Sequence, residues 1–182
     1  MGRDFNWVRD ITLSNSIWGN RLLKIFAPYD GVHALGGGIG QGMQMGIGAA
    51  LARPERKTVA LIGDGGFYVN LGELATAVQE QAPVVMLVMN DRRYGVIKNI
   101  QDSTYGGRHY FTELHTPDFG ELAKTMGLGF VRLEDMSQVD AALQQALNMT
   151  GPVLMEVDMT RIGPFAKAFA GPPVRKKVEQ VE

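Results

Sequence analysis

The sequence predicts an α/β protein built on a doubly wound parallel sheet with helices on both faces. Two runs of strand length, 58–62 and 84–89, are almost continuous in Val, Ile, Leu, Ala and Met. Unbroken rather than alternating hydrophobicity marks strands covered on both faces, as parallel strands are. The interval between them holds a loop, one helix and a return strand, which is the size of a crossover connection. Further along, a strand at 129–133, a helix opening at Ser137 and ending near Met149, and a strand at 153–157 continue the alternation.

In chain order, residues 1–10 are mixed in character and read as a lead-in from upstream sequence. The segment 12–16 ends a strand and caps a helix carried by Trp18, Leu22 and Leu23, with Ser or Asn as N-cap. A turn at 28–31 and a short strand at 32–35 lead into Gly36-Gly37-Gly38-Ile39-Gly40, which regular helix or strand would tolerate only at high entropic cost. A dinucleotide loop is the obvious alternative. The strict G-x-G-x-x-G spacing fails, because every start places Gln41, Met43 or Met45 at the last glycine position. A helix at 41–52 follows, rich in small residues and Met, suited to tight packing on a sheet or a partner subunit.

The strand at 58–62 breaks at Gly63, and Asp64 is bracketed by Gly63, Gly65 and Gly66. Glycines here let the backbone turn sharply and bring its N–H groups onto an anion. A helix at 71–81 is expected next, with Asn70 as N-cap, Glu73 as its capping-box partner, and Leu71, Leu74, Ala75 and Val78 as the buried stripe. That spacing makes Glu73 a cap rather than a catalytic acid. The second strand ends in Asn90-Asp91, and a helix at 94–101 begins near Gly95 with its N-terminus toward the same anion.

Residues 102–116 are irregular and long enough to be a functional loop; His109 and His115 lack partners at metal spacing and read as surface or capping residues. A helix with Pro117 at N1 runs to Met126. From Thr160 the pattern fades, and 160–182, with Gly171-Pro172-Pro173 before Arg175, Lys176 and Lys177, reads as a tail.

Asp64 and Asp91 thus stand at the exits of two buried strands one crossover apart. Ligands bind at that edge of open α/β sheets. An acid there suits phosphate only with a hard divalent cation such as Mg²⁺ between them. A receiver-like domain would use two acids in the same way, but has no role for the glycine run.

Bulk properties narrow the field. With 182 residues and 45% hydrophobic content, one domain with a full core is expected. A net charge of -1 argues against electrostatic binding to nucleic acid or a membrane surface. The absence of cysteine excludes disulfides, thiolate metal sites and a cysteine nucleophile, and is compatible with a cytoplasmic setting. No apolar run reaches membrane-spanning length, and the start Gly2-Arg3-Asp4 is unlike a signal peptide.

Gly63-Asp64-Gly65, the helix after it and Asn90-Asp91 resemble the diphosphate motif of thiamine-diphosphate enzymes, in the acetolactate synthase, benzoylformate decarboxylase and pyruvate decarboxylase group. The likeness extends through the 36–40 loop and Tyr94-Gly95-Val96-Ile97, from about Thr12 to about Val157. It implies the thiamine-diphosphate-binding fold, with Asp64, Asp91 and the Arg93 carbonyl as Mg²⁺ ligands and the Arg93 charge facing solvent. The family more often has Asn where Asp91 stands, so an extra negative charge is expected beside Asp64.

By the same resemblance, Gly63, Gly65, Gly66, Tyr94, Gly95 and Val96 contact the cofactor, and Ser14 and Asn15 reach the diphosphate. Gly37 supplies a carbonyl to the aminopyrimidine, and Ile39 props the cofactor in its bent form. Val96 and Ile97 either line the substrate cavity or belong to the core. The implied reaction is decarboxylation of a 2-oxo acid, followed by carboligation or protonation. The implied partner is a pyrimidine-binding domain of the same or another chain, in a homo-oligomer, so the chain reads as the C-terminal part of a larger subunit or one chain of a split enzyme. A catalytically silent assembly module of the same fold is the alternative.

Overall fold

The computed structural model describes residues 4–19 and 22–163; the segment 164–182, with the basic stretch of the expected tail, lies outside it. Six strands form one all-parallel sheet: β1 (Phe5–Arg9), β2 (Gly31–His33), β3 (Lys57–Gly63), β4 (Val84–Asn90), β5 (Gly129–Leu133) and β6 (Val153–Asp158). Their spatial order is β2-β1-β3-β4-β6-β5. The connection leaving β1 runs toward β2, whereas the one leaving β3 runs the opposite way toward β4. The carboxyl ends of β1 and β3 therefore flank a switch point, the crevice where such sheets take ligands.

Strand β1 corrects the lead-in reading of residues 1–10. Asn6 and Arg9 interrupt its hydrophobic pattern, but each finds a partner: the Asn6 amide donates to Thr58 Oγ1 at 3.1 Å, and Arg9 Nη1 donates to the Gly19 carbonyl at 2.8 Å. The helix expected through Trp18, Leu22 and Leu23 is instead a single π-helical turn, Asn15–Gly19.

The helices are α1 (Gly42–Ala52), α2 (Asp64–Val69), α3 (Glu73–Gln79), α4 (Gly95–Thr104), α5 (Phe119–Met126), α6 (Val139–Asn148) and α7 (Met159–Ile162). Alternate residues of the central strands feed two cores. Ala60, Ile62, Val84, Met86 and Val88 meet Met43 and Ile47 of α1, Phe67 of α2, Leu74 of α3 and Phe119 of α5. Val59, Leu61, Val85, Met155 and Val157 meet Ala142 and Ala146 of α6 on the other face. This two-sided burial is the physical reason for the continuous apolar runs. Helix α1 crosses β3 at Gly46, where a Cβ would lie 2.9 Å from that of Ala60.

Several local readings change. Helix α2 begins at Asp64 itself, six residues before the expected N-cap Asn70. Two glycines argue against helix by propensity; packing against close neighbours overrides it. Helix α3 starts at Glu73 without a side-chain cap, so the Asn70–Glu73 capping box is not made. Glu73 accepts from Thr76 Oγ1 instead. The N-cap of α5 is Asp118, which accepts from Glu121 N, so Pro117 lies ahead of the helix rather than at N1. Residues 160–162, expected as the start of a tail, belong to α7 under an Asp158 cap. No helix among the described residues is long and apolar enough to cross a membrane.

Candidate functional site

The exits of β1, β3, β4 and β6 (the last through Met159 and Thr160) and one loop converge on a cleft of about 630 Å³ at the switch point. Ser14 comes from the β1 exit, and Gly63, Asp64, Gly65 and Gly66 from that of β3. Asp91, Arg93, Tyr94, Gly95, Val96 and Ile97 come from the β4 exit, and Gly37 and Ile39 from the glycine loop. A cleft of this size suits a small organic ligand.

Asp64 is 2% exposed. Its Oδ1 accepts from the Gly65 amide at 2.8 Å, while its buried Oδ2 has no hydrogen-bond partner. Burial pushes its carboxyl up to about 7, and the Asp91 charge adds to this; the amides of Gly65, Arg92 and Arg93 offset part of the rise. Asp91 is also raised by burial, against the pull of the Arg93 guanidinium. Two neighbouring carboxyls that burial disfavours as anions, one of them with a partnerless buried oxygen, call for a proton or a cation at the site.

Arg92 holds a left-handed backbone, φ 57°, which turns the chain sharply after Asp91. The following residues are pinned to the 112–114 segment: Tyr94 N donates to the Thr112 carbonyl at 2.7 Å, and Leu114 N to the Arg92 carbonyl at 2.8 Å. The Arg93 side chain folds back, with Nε donating to the Asp91 carbonyl at 3.0 Å, rather than standing free in solvent. The Arg93 carbonyl accepts from Gly95 N at 3.0 Å and keeps its second lone pair.

Close approach explains the glycines. A Cβ on Gly65 would lie 2.6 Å from Tyr94 Cε1, one on Gly66 2.6 Å from Asp10 Oδ2, and one on Gly95 2.9 Å from Asp91 Oδ2. In the 36–40 loop, Gly36, Gly37 and Gly40 have positive φ. Gln41 ties the loop from inside, its Nε2 donating to the carbonyls of Leu35 at 2.9 Å and Gly38 at 2.8 Å. Gly37 lines the cleft, and its carbonyl makes none of the chain's described hydrogen bonds.

The structure separates the remaining candidates. Val96 and Ile97 both line the cleft and α4 buries none of its residues, so the core reading falls away. Asn15 does not line it: the side chain is 2% exposed and its amide donates to the carbonyls of Asp10 at 2.6 Å and Leu61 at 3.3 Å. It braces the β1 exit from behind. His109 pairs with Asp102, and His115 lines a second, polar cavity beside β4–β6. Sequence reasoning missed Thr12, Lys98 and Thr160 in the cleft wall, and Asp10 behind it. Recognising β1 would have placed Asp10 and Thr12 at a strand exit.

The fold and cleft define a class: a parallel α/β domain that presents one buried and one partly buried acid and a glycine loop to a ligand at its switch point. The family model described as thiamine pyrophosphate enzyme, C-terminal TPP binding domain, matches residues 13–157, and the chain belongs to that family. The mitochondrial acetolactate synthase catalytic subunit of Saccharomyces cerevisiae is 36% identical over 135 residues, 74% of this chain and 20% of the relative. The acetolactate synthase large subunit of Pyropia yezoensis is 31% identical over 148 residues, covering 80% and 25%. Isozyme 2 of the Escherichia coli large subunit is 30% identical over 150 residues, covering 81% and 27%. The chain thus spans about a quarter of the curated relatives it matches.

Proposed function

We propose that this domain holds the diphosphate of thiamine diphosphate through Mg²⁺, within a 2-oxo acid decarboxylating and carboligating enzyme of the acetolactate synthase type. The observation that carries the reading is the partnerless buried Oδ2 of Asp64 beside a second carboxylate. A hard cation with oxygen ligands satisfies that atom and relieves the repulsion at once. Asp64, Asp91 and the Arg93 carbonyl are the ligands, and phosphate oxygens complete the set. The small residues Gly65, Gly66 and Gly95 leave the backbone open to those phosphates, and Ser14 faces them from β1.

Across the cleft, the free Gly37 carbonyl accepts from the aminopyrimidine and Ile39 supports the ring. When bound, the cofactor would supply a thiazolium carbon acidic enough to become a nucleophile toward a 2-oxo group, and a cationic ring as electron sink for loss of CO₂. The chain's own residues bind, orient and desolvate; Val96 and Ile97 wall the substrate side. A pyrimidine-binding domain from the same or another chain closes the cleft in a homo-oligomer.

Titration calorimetry tests the reading. Thiamine diphosphate should bind the chain only with a divalent cation, and Asp64→Ala should abolish that binding while the far-UV spectrum is kept. Cation-independent binding, or unchanged affinity in the variant, overturns it.

A further inference from the structure

Asp10 is a buried carboxylate, 1% exposed, that the proposed chemistry leaves without a role. It stands at the exit of β1, behind the cleft. Its Oδ1 accepts from Ile11 N at 2.8 Å and its Oδ2 from Gly40 N at 3.0 Å, at the far end of the glycine loop. On the other side of that residue, Asn70 Nδ2 donates to the Gly40 carbonyl at 2.7 Å. Gly40 is therefore gripped through both its N–H and its C=O, from two different elements. Its own conformation, φ +87°, and the nearness of Asn70 leave no room for a side chain.

The grip reaches the diphosphate side as well. A Cβ on Gly66 would meet Asp10 Oδ2 at 2.6 Å, and one on Gly42 would meet Asp10 Cβ at 2.6 Å. One carboxylate thus touches the β1 exit, the end of the glycine loop, the start of α1 and the Asp64–Gly66 turn. Burial raises its carboxyl, and the N–H groups of Ile11, Gly40, Gly42 and Gln41 pull it back, as they would for an acid that works as an acceptor.

We propose that Asp10 and Asn70 are positioning residues: by holding the Gly40 peptide from both sides, they set the separation between the ring-binding loop at Gly37–Ile39 and the diphosphate-binding turn at Asp64–Gly66. This rests on the reading of the cleft given above. A ligand that spans both subsites feels that separation, and one that fills only the diphosphate subsite does not.

The experiment compares two ligands on the full 182-residue chain: thiamine diphosphate with Mn²⁺, and inorganic diphosphate with Mn²⁺. Asp10→Asn removes the charged acceptor with almost no change in volume and should weaken thiamine diphosphate by about tenfold or more. Inorganic diphosphate should stay within about twofold on the same reasoning. Asn70→Ala, which alters a partly exposed residue outside the core, should give the same split at about fivefold, so the test survives if Asp10→Asn does not fold. Equal losses for both ligands, or none for either, overturn the positioning role. Failure of the wild-type chain to bind either ligand would instead overturn the cofactor reading, and the inference with it.

Discussion

Asp64 and Asp91 leave adjacent parallel strands one step out of register. Gly63 pairs with Met89 in the β3–β4 ladder, so Asp64 lies level with Asn90 and Asp91 one residue beyond. Burial and the Asp91 charge together raise the Asp64 carboxyl. The site is electrostatically strained without a cation, and this strain makes its properties measurable.

Replacing Asp64 by Asn should stabilise the cation-free chain and remove cation binding. In the folded chain Asp64 titrates at about 7, whereas an unfolded Asp titrates near about 4. Between those values the folded state holds the extra proton, so stability falls as pH rises through the window and is level on either side. The variant loses this slope. Urea midpoints should show little gain at pH 4 and one on the order of 1–3 kcal/mol at pH 8.

Cation binding should show the opposite pH dependence. A metal displaces the Asp64 proton, so Mn²⁺ affinity should rise by about tenfold per pH unit below about 7 and level off above it. Asp91 is raised too, which makes the acid limb steeper where both groups carry protons. Electron paramagnetic resonance of free Mn²⁺ from pH 5 to pH 8 reads this directly; a flat profile would assign the site elsewhere.

Gly65→Ala should separate packing from binding. The added methyl would meet Tyr94 Cε1 at 2.6 Å and Leu114 Cδ1 at 3.2 Å. Tyr94 must move, carrying the start of α4 and Arg93 with it. Stability should fall by about 1–3 kcal/mol and thiamine diphosphate affinity by about tenfold, by thermal melts and calorimetry.

Away from the cleft, Glu156 is 3% exposed on β6 and accepts from Asn90 Nδ2 and from Arg132 Nε, both at 2.6 Å. Arg132→Ala strands that carboxylate. The loss should approach the lower end of about 3–5 kcal/mol, since the guanidinium is partly exposed. Arg132→Ala combined with Glu156→Gln should recover part of it, in a denaturation double-mutant cycle.

The purified chain should not decarboxylate 2-oxo acids by itself. Glu73 and Glu80 do not line the cleft, so neither can serve the cofactor's pyrimidine. Self-association is expected through the outer face of α1, where Leu51 is 42% exposed. Adding a pyrimidine-binding domain, in trans or by fusion, should restore turnover in a coupled CO₂ assay. Decarboxylation by the chain alone would place the activating acid within it.

Much of the fold was legible because two-sided burial writes itself into composition. The runs 59–62 of β3 and 84–89 of β4 are unbroken, β6 opens on three apolar residues before Glu156, and each strand lies within a residue or two of its expected bounds. The acids Asp64 and Asp91 were legible because a carboxylate directly after such a run stands at the sheet's ligand edge. Strand β1 was not, because Asn6 and Arg9 find their partners at Thr58, far away in sequence, and at Gly19, beyond the following turn. Without β1 the switch point, and Asp10 on it, stayed out of view.

By itself the sequence determined the parallel α/β class, the crossover joining the two acidic strand ends and the irregular glycine loop, because these follow from periodicity and local backbone freedom; that the loop serves the same cleft was implied only by the family resemblance. Only the tertiary structure decided what Asn15, Asn70 and Asp10 do. Each is a turn or capping residue by local rules, yet Asn15 braces two strand-end carbonyls, and Asn70 and Asp10 hold Gly40 from opposite sides. A polar side chain's partner is set by which backbone groups the fold leaves unsatisfied nearby, and that is a property of the packed chain rather than of its neighbours in sequence.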